Sequence, residues 1–132
     1  MGKYLFQMFI FSTIILQTMA LPGAPTCSRR IRVYIVNMLP LKTSPLLVHC
    51  KSKDEDNGNQ SLPYRGQGSS FSFCPSFTTR FVCNFRWNDK DTSFDVFNSV
   101  KTNVCYYEAR SDAIYFSEDD ATPRNFIKLR DW

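Results

Sequence analysis

The chain has 132 residues, 21% of them charged and 15% aromatic, with a formal net charge of +4. That length suits one domain rather than two. Sixteen Lys and Arg are scattered among twelve acids without forming a run, which argues against a nucleic-acid-binding face.

Residues 1–20 read as a secretory signal peptide. Lys3 supplies the basic start, Tyr4 to Leu16 is mostly apolar, and Thr18-Met19-Ala20 offers small residues for cleavage. Gln7, Ser12 and Thr13 interrupt the apolar run, which falls short of the ~20 residues a membrane span needs. The expected product is therefore soluble, secreted and extracellular, with no membrane insertion after signal cleavage. Cleavage of 20 from 132 residues leaves 112, with fifteen basic residues against twelve acids and a formal charge of +3. Residues 21–30 read as a loose N-terminal lead-in, and 31–132 as a single domain.

Beyond residue 20 apolar residues recur at every second position, the period of a half-buried strand. In chain order the segments are Ile31–Val36, Leu46–Cys50, Ser70–Cys74, Phe81–Trp87, Ser93–Asn98, Val104–Arg110, Ala113–Ser117 and Phe126–Arg130. The clearest places Phe81, Cys83, Phe85 and Trp87 on one face and Arg80, Val82, Asn84 and Arg86 on the other. Turn-rich pieces separate them: Asn57-Gly58-Asn59, Arg65-Gly66-Gln67-Gly68, Asn88-Asp89-Lys90-Asp91 and Ser111-Asp112. Seven to eight short strands with no convincing helix predict an all-β, antiparallel sandwich or barrel. Twelve Phe, six Tyr and two Trp supply its core.

The five cysteines, at 27, 50, 74, 83 and 105, read as a disulfide framework in an oxidising compartment. Zinc fits poorly, because there is no Cys-x-x-Cys pair and only one histidine. The odd number leaves one cysteine free or paired outside the chain.

Little catalytic chemistry can be assembled. His49 is the single histidine, which excludes a two-histidine ribonuclease mechanism, and no nucleophile motif surrounds it. The acidic loop Asp54-Glu55-Asp56-Asn57-Gly58 misses the EF-hand pattern. Its glycine falls one place early, and Arg65 stands where a bidentate glutamate is needed. This loop and Glu118-Asp119-Asp120 read as solvated charge, with no metal and no cofactor. Asn59-Gln60-Ser61 is an N-glycosylation sequon, so Asn59 is expected to lie on an exposed loop and could carry a glycan.

Longer motifs add to this reading. Val33-Tyr34-Ile35-Val36-Asn37-Met38-Leu39 ends in an Asn-x-Leu pattern, and Leu46 to Gly58 contains Val48-His49-Cys50-Lys51-Ser52-Lys53 before the acidic loop. Gly66 to Phe73 follows a glycine with alternating aromatics, Thr79 to Trp87 reads Thr-x-Phe-x-Cys-x-Phe-x-Trp, and Phe94 to Phe97 reads Phe-Asp-Val-Phe. With Cys105-Tyr106-Tyr107 and Asp112-Ala113-Ile114-Tyr115, these resemble the plant self-incompatibility proteins of the poppy-stigma type and their S-protein homologues. The resemblance spans about Arg32 to Phe116.

The resemblance implies a small, disulfide-stabilised β-sandwich. It also implies a secreted, non-enzymatic plant protein acting as an extracellular signalling ligand, recognised by a cell-surface receptor in, for some members, rejection of incompatible pollen. No small-molecule substrate is expected. By resemblance Cys50 pairs with Cys105. The family partner of Cys83 falls at Thr102, so Cys74 or Cys27 takes that place; a hairpin over the short Pro75–Val82 connection favours Cys74, leaving Cys27 free. Three positions depart from the family: Asn57 replaces leucine, Tyr107 tryptophan and Ala113 glycine. If the glycine has positive φ, alanine there costs about 1 kcal/mol. The expected partner surface comprises three loops, Asp54–Ser69, Asn88–Asp91 and Glu118–Arg124, with Asp54, Glu55 and Asp56, Asn88, Asp89 and Lys90, and Glu118, Asp119 and Asp120 as candidate contacts. The alternative is a secreted glycan-binding or defence-type module at the cell wall, with Tyr64, Phe77 and Tyr106 stacking on sugars.

Overall fold

Alternating burial organises the chain into two sheets. The computed structural model describes residues 27, 29–75, 80–96, 103–119 and 121–132, so the expected signal peptide, Phe77 and Asp120 lie outside the described residues. Nine strands are present among them: β1 (Ile31–Asn37), β2 (Leu46–Lys51), β3 (Asp56–Leu62), β4 (Gly68–Phe73), β5 (Val82–Trp87), β6 (Lys90–Asp95), β7 (Val104–Ala109), β8 (Ala113–Ser117) and β9 (Ile127–Asp131). A five-stranded sheet, β4-β1-β7-β8-β9, packs on a four-stranded sheet, β3-β2-β5-β6. The fold is an all-β sandwich.

Two features differ from the sequence expectation. The ninth strand is β3, read from sequence as a turn and an acidic loop. Only Leu62 of its seven residues is buried, so no apolar alternation announces it. Pairing is also not wholly antiparallel, since β1 runs parallel to β7, with Val33 opposite Cys105 and Ile35 opposite Tyr107. β1 therefore takes its neighbours from far along the chain.

The inward faces meet in an aromatic core. Phe85 lies edge-on to Phe94 at 5.0 Å, Phe94 meets Tyr107 of the other sheet at 5.1 Å, and Phe73 meets Phe81 at 4.6 Å. Tyr107 occupies its buried site without an orphaned hydroxyl, which donates to the Val96 carbonyl at 2.7 Å. Ala113 is fully buried in β8. Among the described residues the non-glycine positive φ values fall at Lys42 and Asn88, so alanine at 113 carries no left-handed strain.

The disulfide map corrects the expected one. Cys50 bonds Cys83, Cys27 bonds Cys74, and Cys105 is the free thiol. Topology explains each change. Cys50 and Cys83 are direct partners across β2 and β5, with Cα atoms 4.0 Å apart. Cys105 lies on β7 of the opposite sheet, and Cys83, standing directly across from Cys50, already holds the bond expected of it. β4 and β5 belong to different sheets and do not pair as a hairpin, so Cys74 is not brought opposite Cys83. Cys74 instead ties down Cys27, expected to be free, at a Cα separation of 5.6 Å. The bridges span sequence separations of 33 and 47, each worth about 4 kcal/mol on the chain-entropy account.

Burial pushes the Cys105 thiol up to about 12, so little thiolate forms near neutrality. Non-reducing peptide mapping should return the Cys27–Cys74 and Cys50–Cys83 pairs. Iodoacetamide at pH 8 should leave Cys105 unmodified in the folded protein and alkylate it in denaturant.

Candidate functional site

The strands carry loops to two opposite ends of the sandwich. At one end lie the β1–β2 loop (38–45), the β3–β4 turn (63–67), the β5–β6 turn (88–89) and the β7–β8 turn (110–112). At the other lie the 52–55 turn and the connections β4–β5, β6–β7 and β8–β9. Six residues of strand put about 20 Å between the ends. The expected partner surface is therefore split: Asp54, Glu55 and Asp56 share an end with Glu118 and Asp119, whereas Asn88, Asp89 and Lys90 sit at the opposite end.

The first end is held by a buried amide. Asn37 closes β1, where its side chain donates through Nδ2 to the Leu62 carbonyl at 2.8 Å and accepts from the Leu39 amide at 2.8 Å. Its backbone accepts from Gly66 N–H at 2.6 Å and donates to the Gln67 carbonyl at 2.9 Å. Gly66 has φ 90, a conformation that favours glycine in this turn. Arg65 then donates to the Met38 and Leu39 carbonyls, both at 2.9 Å, and locks the 63–67 turn onto the 38–45 loop. Trp87 Nε1 donates to Thr43 Oγ1 at 3.1 Å, which fixes the far part of that loop.

On this rigid end two apolar side chains stand in solvent: Leu41 is 75% exposed and Tyr64 73% exposed. Beside them a polar groove of about 430 Å³ is lined by Met38, Pro40, Arg65, Glu108, Arg110 and Asp112. Arg110 pairs with Glu108 at 2.8 Å and lays its guanidinium 3.9 Å from the Tyr115 ring centre. Tyr115 donates to Asp112 at 2.7 Å, which holds the Asp112 carboxyl below its ordinary value. Leu41 was not singled out by sequence, Arg65 was read as part of a turn within the expected Asp54–Ser69 surface, and Arg110 only as the end of a strand. Their prominence together depends on which loops share an end.

The remaining sequence candidates fall elsewhere. Ser52 Oγ accepts from the amides of Asp54 and Glu55 at 3.3 and 3.1 Å, closing a tight turn. Asp56 opens β3 and accepts from Gly58 N–H at 2.8 Å. Its carboxylate lies 2.6 Å from His49 Nε2. Those two contacts, the backbone one first, hold the Asp56 carboxyl below its ordinary value. No three His, Cys, Asp or Glu side chains converge to hold a metal among the described residues. Asn59 is exposed on β3 opposite His49, at a strand position and not on the loop expected, beside a groove of about 420 Å³ on the outer face of the four-stranded sheet. Tyr106 has Tyr34 stacked at 4.7 Å and the Arg124 guanidinium 3.7 Å from its ring centre, so it offers no open face for a sugar.

The chain is similar to known proteins in sequence and in fold. The family described as plant self-incompatibility protein S1 matches residues 32–132. S-protein homolog 5 of Arabidopsis thaliana is 31% identical over 96 residues, covering 68% of this chain and 73% of its own length. Self-incompatibility protein S1 of Papaver rhoeas is 35% identical over 78 residues, covering 52% of this chain and 55% of its own. A solved self-incompatibility protein homologue, of a widespread family of small, highly stable, secreted plant proteins, superposes with a TM-score of 0.60 at 26% identity, covering 79% of this chain and 95% of that one.

Two measurements probe the anchors. Asn37→Ala strips partners from the Leu62 carbonyl and the Leu39 amide and should cost about 2–4 kcal/mol in urea unfolding. Because the Asp56 carboxyl titrates lower when folded, its stabilisation is present above about pH 4 and fades as pH falls through the folded value. The stability gap between the wild type and Asp56→Asn should therefore shrink on acidification from pH 7 to pH 2.

Proposed function

The chain belongs to the plant self-incompatibility protein S1 family, and from that premise we propose that it acts as a secreted extracellular ligand for a cell-surface receptor. It works by binding and not by catalysis. The observation that carries this reading is the pairing of two exposed apolar side chains, Leu41 and Tyr64, with loops clamped by Asn37 and Arg65. An exposed leucine or tyrosine favours desolvation by a partner, and tyrosine is enriched among residues that dominate interface energies. Loops already fixed lose little freedom when they dock.

Arg65 and the Glu108–Arg110 pair line a polar groove at the same end of the sandwich, and apolar anchors with polar groups nearby suit a protein partner. The signal-peptide pattern at residues 1–20 and the secreted homologue both support export. Recognition leading to rejection of incompatible pollen is the narrower form of this proposal, drawn from the name of the poppy relative.

Photo-crosslinking of the secreted protein on living plant cells should capture a membrane protein. Tyr64→Ala and Leu41→Ser should each weaken binding to it about tenfold or more, with the melting temperature unchanged. A receptor on pollen would establish the narrower form and one on another cell type would replace it. Full binding by both variants would remove this end of the sandwich from the interface.

A further inference from the structure

We propose that the outer face of the five-stranded sheet binds an acidic polysaccharide, a uronate polymer, at a site separate from the Leu41–Tyr64 end. The proposal starts from the side chains that three neighbouring strands turn outward. On β1 these include Arg32 and Tyr34; opposite them β4 presents Ser72 and Ser70, and β7 presents Tyr106 beside Tyr34.

Tyr34 stacks on Tyr106 with the rings 14° from parallel, so its other face is turned toward β4. The outward residues there are Gly68, Ser70 and Ser72, too small to cover a ring. What remains is a shallow groove of about 220 Å³ lined by Arg32, Tyr34, Ser70, Phe71 and Ser72.

Its chemistry suits a sugar acid. A pyranose has one flat C–H face that can lie on an aromatic ring, and hydroxyls at its edge that serine hydroxyls can meet. Guanidinium groups recognise a carboxylate through two parallel hydrogen bonds. Arg30 reaches the groove through Ser72 Oγ at 3.3 Å, Arg32 lines it, and Arg124 covers Tyr106 beyond. None of the three has a carboxylate within ion-pair distance among the described residues, whereas Arg80, Arg86, Arg110 and Lys128 all do. Of the acids near this face, Glu108 is held by Arg110, and Asp119 accepts from the Asn125 amide. Three arginines thus concentrate positive charge on one face of a chain whose overall charge is mild. The sequon at Asn59 lies on the opposite sheet, so a glycan there leaves this face open.

The test is retention of the folded secreted protein on immobilised polygalacturonate at low salt, followed by competition. The expected result is salt-sensitive binding that neutral cellulose oligomers do not displace. Tyr34→Ala and the exposed, charge-only change Arg32→Gln should each weaken it about tenfold, and Arg86→Gln on the other sheet should not. Since Tyr34→Ala could disturb the sheet, the Arg32 variant carries the test alone if that protein unfolds. No retention, or equal loss with Arg86→Gln, overturns the proposal. So does tighter binding to phosphatidylserine vesicles than to polygalacturonate, which would make the face a membrane contact. Loss of polysaccharide binding by Arg32→Gln with receptor capture intact would separate this site from the receptor-binding end.

Discussion

The side-chain amide of Asn37 joins pieces of chain that the sheets alone would leave apart. It stands at the end of the interior strand β1, where the chain leaves one sheet to begin the other. Through one donor and one acceptor it holds the last residue of β3 and the start of the 38–45 loop, while its backbone holds both sides of the 66–67 turn. An apolar residue of similar size would fill the space and satisfy neither neighbour. The placement of Leu41, Tyr64 and Arg65 follows from this joint.

The opposite end is held by covalent means instead. Cys27–Cys74 pins the N-terminal segment beside the close of β4, and Cys50–Cys83 crosses β2 and β5 near their ends. A chain of this size hides only part of its surface on folding, so a polar joint at one end and cross-links at the other supplement a modest core. The outer sheet faces are left with separate characters. The four-stranded sheet is polar, carrying His49, Asn84, Arg86 and the sequon asparagine, whereas the five-stranded sheet carries the tyrosine stack with Arg32 beside it.

Legibility followed alternation. Strands with one face against the core showed it, as in Phe81 to Trp87, because a period of two is imposed wherever one side is dry. β3 was hidden because Asp56 to Ser61 is polar throughout, whereas the edge strand β9, exposed along its length, still alternates Ile127 and Leu129 with Lys128 and Arg130. The cysteines were legible as a framework and not as pairs, since pairing depends on which strands become neighbours. Val48-His49-Cys50 and Phe81-Val82-Cys83 each announce a strand, but neither says that β2 lies beside β5. The site was legible only in part for a similar reason. Tyr64 read as a sugar-stacking aromatic and Asn88 as a turn residue, but the end of the sandwich each occupies is fixed by topology, and the loop carrying Leu41 is clamped by Arg65 from a distant turn.

The position of β1 also governs the order in which the domain can be completed. The four-stranded sheet draws all its strands from residues 46–95, with β4 of the other sheet interposed, and needs no partner from outside that stretch. β1, though first in the chain, pairs with β4 and β7, whose register partners reach as far as Ala109. Closing such long loops precedes the contacts that reward it, which slows folding. A chain emerging from its N-terminus must therefore hold Ile31, Val33 and Ile35 in an unfinished sheet until nearly all of it has been made. During export those three apolar residues are the surface that chaperones in the secretory compartment would have most cause to cover.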